Sequence, residues 1–285
     1  MSFLSPGYLL FFPATVLLYF LLPRPCKNLW LLAASWFFYL CAGPDCFAFL
    51  LCATLVTYTG ARLLERRDGA SRKALLTLLL TLLFGTLFLF KYLDFAFSLA
   101  ERVLDAAGLS FSSPALDLIL PAGISFYLFM AAGYLIDVYR GDRAAEHSFL
   151  LCALFLSFFP HVISGPIARA GGLIPQFREV HRFDYDKFRA GLLRFLWGAF
   201  KKLCIADRLA VLVNAVFAAP GDFGWLQVIA AACAFSVQIY CDFSAYSDMA
   251  LGSAEAMGFH LMENFRTPYF SRSIAEFWRR WHISL

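Results

Sequence analysis

Charge is what this sequence has least of. Of its 285 residues only 15% are Asp, Glu, Lys or Arg, against roughly a quarter in a soluble globular domain. A formal net charge of +4 suggests nothing about nucleic acid, and no nucleic-acid partner is expected. The five histidines (His147, His161, His181, His260 and His282) are scattered, with no i,i+4 pair to hold a metal. The eight cysteines lie in or beside apolar stretches at no ligand spacing, so they read as small hydrophobes and not as a disulfide framework. There is no G-x-S-x-G elbow, P-loop, G-x-G-x-x-G or H-E-x-x-H. These absences argue against a metal site and against the common soluble hydrolase and nucleotide-binding designs. No bound cofactor is expected.

What is present is apolar length. Hydrophobic residues make up 61% of the chain, and its mean hydropathy is +0.68. Stretches free of Asp, Glu, Lys and Arg run over 1–23, 28–44, 46–61, 74–90, 118–136, 148–168 and 223–241, with a shorter one at 209–221. A helix needs about 20 such residues to cross a bilayer, so the fold class is an all-α polytopic membrane protein with about eight membrane segments. The first run has no basic residues before it and "FLLPRPC" at its end, which reads as an uncleaved span. Basic residues follow the first, third and fifth runs (Arg24, Lys27; Arg62, Arg66, Arg67, Arg72, Lys73; Arg140, Arg143), and the alternate connections are poor in them. The positive-inside rule then places the N-terminus outside. That alternation fails after 148–168, because 169–189 is basic again. The run contains "FFPHVISGPIARAGG", which fits either a re-entrant element lining a cavity or a kinked span.

Ionisable groups inside apolar runs are functional candidates by default. Lys91 and Asp94, and Asp137 and Arg140, stand three apart and read as boundary ion pairs. His161 sits within the broken run, either as a packed side chain or as a cavity-lining one. The densest group is "QIYCDFSAYSDMALG", residues 238–252, with Tyr240, Asp242, Ser244, Tyr246 and Asp248. On a helix, Asp242 and Tyr246 are i,i+4 neighbours, as are Ser244 and Asp248, so the stripe needs a partner helix or a polar cavity.

The last fourteen residues, "RSIAEFWRRWHISL", open with an S-x-x-E capping box at Ser273 and Glu276. The periodicity predicts one amphipathic helix to Leu285. Ile274, Phe277, Trp278, Trp281 and Leu285 would share a face, Glu276, Arg279 and Arg280 would lie opposite, and His282 would sit at the edge. It reads either as an interfacial anchor or as a reaction site, where an imidazole exchanges a proton near neutral pH.

Four blocks carry a resemblance: "LPAGISFYLFMAAGYLIDVYRG" (120–141), "FFPHVISGPIARAGGLIPQF" (158–177), "GLLRFLWGAFKKLCIADRLA" (191–210) and the most specific, residues 238–285. Through them the chain resembles the membrane-bound O-acyltransferase family, in particular its bacterial alginate O-acetyltransferase-like branch. One departure is Met130, where relatives often carry a polar residue.

The resemblance implies a helical ring around a central cavity, in the bacterial inner membrane. It implies transfer of an acyl group, acetyl in this branch, from a cytosolic thioester such as acetyl-CoA or an acyl carrier. The acceptors would be hydroxyls of an extracellular polysaccharide or cell-wall polymer, reached with a periplasmic partner protein. His282 takes the position of the first of the family's two histidines. The second lies further along the family's chain, so residues 1–285 are expected to form the N-terminal portion of a single domain. Donor-binding or cavity-lining roles fall to Trp278, Arg279, Arg280, Trp281, Tyr240, Asp242, Ser244, Tyr246, Asp248, Asn264 and His161, with Lys201 and Lys202 as further cations for donor phosphates. A transporter or flippase, and a non-catalytic scaffold subunit, are the two other readings of the same residues.

Overall fold

The computed structural model describes residues 1–106, 108 and 120–285, without the side chain of Asp94. Among the described residues it is all-helical. The elements are α1 (Pro6–Leu21), α2 (Arg24–Leu40), α3 (Pro44–Glu65), α4 (Gly69–Ala106), α5 (Ile124–Arg140), α6 (Phe149–Ser157), α7 (Ala170–Arg178), α8 (Tyr185–Phe200), α9 (Asp207–Ala218), α10 (Trp225–Ala256) and α11 (Ile274–Trp278). A π-helical turn, Lys201–Ala206, joins α8 to α9. The expected pair of Lys91 with Asp94 lies outside the described residues.

Each boundary has a local cause. Ser5 caps α1 by accepting from the Tyr8 N–H at 3.2 Å, with Pro6 in the first helical position. Asp184 caps α8 by accepting from the N–H groups of Asp186 and Lys187. Gly141, at φ +80°, ends α5 in the left-handed conformation that glycine tolerates. Pro44–Glu65, Gly69–Leu93 and Trp225–Ala256 are long and apolar enough to cross a membrane. Helix α10 does not stop where the apolar run stops. It carries the polar stretch 242–252 through to Ala256 as one continuous helix.

The run 148–168 divides into short α6 and a non-helical segment to Arg169. Irregular backbone at membrane depth must be covered by protein or face a cavity. Here Phe158, Phe159, His161 and Val162 are fully buried. Phe159 packs on Phe11 and Phe38, and its N–H donates to Ser35 Oγ at 3.1 Å. The turn is tight enough that a Cβ on Gly165 would lie 2.4 Å from His161 Cα. The far end, Ile167 to Arg169, borders a cavity of about 340 Å³.

Helices α8 and α10 meet through their backbones. A Cβ on Gly191 would come within 2.5 Å of the Gly252 carbonyl oxygen, and one on Gly252 within 2.4 Å of the Gly191 carbonyl oxygen. Gly198 makes the same approach to Ala245 one contact further along. Such small-residue stripes bring membrane helices into close van der Waals contact. Tyr8 of α1 joins them, its ring stacked on Phe195 and its hydroxyl 2.7 Å from Ser253 Oγ.

The terminal helix is corrected by the structure. It starts where the capping box predicts, with the Glu276 N–H donating to Ser273 Oγ at 3.1 Å, but it lasts five residues. Beyond Trp278 the chain folds back and pairs with 264–266. The Arg266 N–H donates to the Arg280 carbonyl at 2.9 Å, and the Ile283 N–H to that of Asn264 at 3.0 Å. Trp281 packs on Phe265 and Phe277. Non-local pairing and aromatic burial outweigh the weak helix preference of a Trp-His-Ile sequence. The predicted common face therefore does not form, and Ile274, Trp278 and Leu285 are all exposed.

Gly252→Val should force α8 and α10 apart, at a cost of about 1–3 kcal/mol. The measurement is the melting temperature in detergent micelles. A midpoint equal to that of the wild type would show that the two backbones do not touch.

Candidate functional site

The polar stripe on α10 finds its partner in α8 and the π turn. Asp248 is the centre. Arg194 donates to Asp248 Oδ1 from Nε and Nη2, both at 3.1 Å, and Lys201 Nζ donates to Oδ2 at 2.6 Å. Lys201 also donates to Ser244 Oγ at 2.8 Å. The same Arg194 grips Glu263 with two parallel bonds, Nη1 to Oε1 at 2.8 Å and Nη2 to Oε2 at 2.6 Å. That bond holds the Glu263 carboxyl below the usual carboxylate range. Lys201 is buried, so two cations and two carboxylates form a closed, neutral network at the helix contact. Arg194, Lys201, Tyr240, Ser244, Asp248 and Asn264 line a cavity of about 240 Å³ beside it.

The π turn also directs the neighbouring lysine. Lys202 pairs with Asp207 at 2.8 Å and Asp242 at 2.7 Å, and its ammonium lies 5.7 Å from the Tyr246 ring centroid. Lys201 thus stands buried against Asp248, whereas Lys202 pairs with two half-exposed carboxylates.

The other polar centre is Asn264, fully buried just beyond α10. Its Nδ2 donates to Ser247 Oγ at 3.1 Å, and its Oδ1 accepts from the Ser284 N–H at 3.2 Å and the Ser284 hydroxyl at 2.8 Å. Ser284 Oγ accepts in turn from the Ile167 N–H at 3.0 Å. One asparagine thus ties α10, the broken segment and the terminal residues together. Between these ties stands His282, at φ +47°, a left-handed conformation that a non-glycine residue keeps only under constraint. Its ring lies edge-to-face on Phe243 at 4.9 Å and parallel to Phe126 at 6.5 Å, with Nδ1 3.4 Å from Ser284 Oγ. Half-burial among these rings pushes the imidazole below its ordinary pKa. It is therefore neutral at pH 7 and able to accept a proton.

Of the candidates from sequence, Tyr240, Ser244, Asp248 and Asn264 come together at one cavity, and Asn264 links them to His282. Asp242 and Tyr246 lie around the helix, at Lys202. Trp281 joins an aromatic cluster with Tyr240, Phe265 and Tyr269. Arg280 is tied to Glu276 at 2.5 Å, and Arg279 and Trp278 are exposed. His161 is enclosed against Phe158 and is not among the residues lining either cavity described above. Sequence reasoning passed over Arg194, Glu263 and Ser284. An arginine within "GLLRFLWG" was a visible signal, since a cation on an apolar helix needs a carboxylate. Nothing local marked Ser284.

The membrane-bound O-acyltransferase family model matches residues 142–285, which contain both polar centres. The chain is 42% identical, over 97% of its own length, to the probable alginate O-acetylase AlgI of Pseudomonas putida, and covers 57% of that protein. It is 33% identical over 96% of its length to the peptidoglycan O-acetyltransferase of Helicobacter pylori, covering 57% of it. A more distant match is the teichoic acid D-alanyltransferase of Bacillus subtilis, 26% identical over 60% of this chain and 44% of that protein. The chain spans about half the length of the curated relatives it matches.

The ion network sets a test. Asp248→Asn leaves Lys201 buried without its carboxylate and should cost about 3–5 kcal/mol, and the double change Lys201→Met with Asp248→Leu should recover most of it. Urea titration of the protein in micelles reads both. A single variant as stable as the wild type would mean that the pair is solvated.

Proposed function

Because the chain belongs to the membrane-bound O-acyltransferase family, we propose that it supplies the acceptor-activating histidine of an enzyme that moves acetyl groups to polymer hydroxyls. The donor is a cytosolic thioester, acetyl-CoA or an acyl carrier, and the acceptor is an extracellular polysaccharide or cell-wall polymer. The names of the relatives, which act on alginate, peptidoglycan and teichoic acid, support a polymer acceptor. The observation that carries the reading is His282, held neutral and strained at the junction of α10, the broken segment and the terminal residues.

In the reaction, the acceptor oxygen attacks the thioester carbonyl while an imidazole nitrogen of His282 takes its proton. The new C–O bond forms, the C–S bond breaks, and the departing thiolate recovers the proton from the imidazolium. A second histidine and a periplasmic partner would belong to the whole protein and its assembly. The proposed setting is the inner membrane with the N-terminus outside, about eight membrane segments arranged as part of a ring, and residues 158–168 entering and leaving on one side. The alternation of basic loops supports this topology, as does the protein-covered irregular backbone of 158–162.

In membranes carrying the full-length protein, His282→Ala should lower acetyl transfer by about 10²–10⁴-fold. Because burial lowers the imidazole pKa, the acid limb of kcat/KM should have its midpoint below 6.5, the ordinary histidine value. Transfer unchanged by the substitution would remove His282 from the reaction.

A further inference from the structure

We propose that Ser284, clamped by Asn264, is the positioning residue that selects the tautomer of His282. The inference deepens the proposed function, because it states which ring nitrogen meets the acceptor.

It follows from counting donors and acceptors around one hydroxyl. Ser284 Oγ has one proton and two lone pairs. Three groups lie within reach: Asn264 Oδ1 at 2.8 Å, the Ile167 N–H at 3.0 Å and His282 Nδ1 at 3.4 Å. Asn264 Oδ1 can only accept, and it is the shortest contact, so it takes the Ser284 proton. The Ile167 N–H can only donate, and it occupies one lone pair. The remaining lone pair faces His282 Nδ1, which must carry a proton to use it. A neutral imidazole with its proton on Nδ1 has Nε2 bare, and Nε2 is then the base.

The amide orientation of Asn264 supports the same order. Its Nδ2 end points to Ser247 Oγ, so its Oδ1 end faces the Ser284 N–H and hydroxyl. Turning the amide over would set an NH₂ against the Ser284 N–H. The ring also hydrogen-bonds the backbone of His282 itself, and it packs on Phe243 and Phe126, which take no hydrogen bond in the ring plane. The 3.4 Å separation is long for N–H···O, and a catalytic hydrogen bond of this kind tightens when substrate fills the site. The clamp also fixes the backbone. Asn264 binds Ile283 and Ser284 on the far side of His282, which keeps that residue at positive φ.

The direct test is ¹⁵N NMR of histidine-labelled protein above pH 7.5, with the His282 signals assigned by their loss in His282→Gln. The wild type should show a protonated Nδ1 and a bare Nε2. Ser284→Ala should populate both tautomers, and Ser284→Thr, which keeps the hydroxyl, should restore the wild-type pattern. In acetyl transfer by the full-length protein, Ser284→Ala should lower kcat by about 10–100-fold, as is usual for a residue that orients a functional histidine. The donor KM should stay within about two-fold, and Ser284→Thr should recover most of the rate. A wild-type spectrum with the proton on Nε2 overturns the proposal, whatever the variants do. So does a Ser284→Ala protein with the wild-type tautomer. If His282→Gln leaves transfer intact while the tautomer pattern is as expected, the proposed function fails and the hydrogen-bond assignment stands.

Discussion

Asp248 is a largely covered aspartate on an apolar helix, and its pairing with the buried Lys201 constrains everything around it. A carboxylate cannot stay ionised away from water without cations and donors close by. Arg194 and Lys201 meet that demand from one neighbouring helix, and they reach it because α8 lies in backbone contact with α10. The π turn at Lys201–Ala206 then points Lys202 to the opposite side of α10, toward Asp242. Arg194 has donors left over and uses them on Glu263, which fixes the chain just after α10. The next residue is Asn264. From one carboxylate the constraints pass through an arginine and a glutamate to the asparagine that organises the terminal residues around His282.

Two kinds of polar structure thus lie side by side and have different consequences. The Arg194–Lys201–Asp248–Glu263 network is internally neutral, with each charge answered by a neighbour. It holds α8 and the π turn against α10 and the chain that follows it. The Asn264–Ser284–His282 group contains no fixed charge, and its one titratable member is half-buried among aromatic rings. A neutral imidazole in such surroundings has what proton transfer requires: an accessible pKa, a fixed ring and little competing water. The charge network and the group around the strained histidine meet at the 263–264 step and where Asn264 binds Ser247 beside Asp248.

Most helices were legible because their determinants are local. Charge-free runs, proline and serine at helix starts and glycine at the end of α5 act within a few residues of themselves. The helix start at Ser273 was legible for the same reason, although Glu276 accepts from the Arg272 N–H and not from that of Ser273. The polar stripe on α10 was legible as a set of groups needing cover, since i,i+4 spacing places Ser244 and Asp248 on one face. Its partner was not named, because Arg194 lies 54 residues away in sequence. The terminal helix was misread where local periodicity met a non-local competitor. The backbone of 264–266 offered hydrogen bonds, and Phe265 and Phe277 offered rings to Trp281.

Read alone, the sequence pointed to an all-α membrane protein of a recognisable family, showed that residues 238–248 carry costly polar groups, and offered His282 as a candidate. Hydrophobic run length, capping chemistry and motif spacing are properties of neighbouring residues, and they survive without a fold. The tertiary structure decided which of the polar groups pair with one another, that Lys201 is buried against Asp248, and that His282 stands on a strained turn beside Ser284. Those outcomes depend on which distant backbones come within about 3 Å of each other, and glycine contacts and buried charge settle that only once the helices have packed.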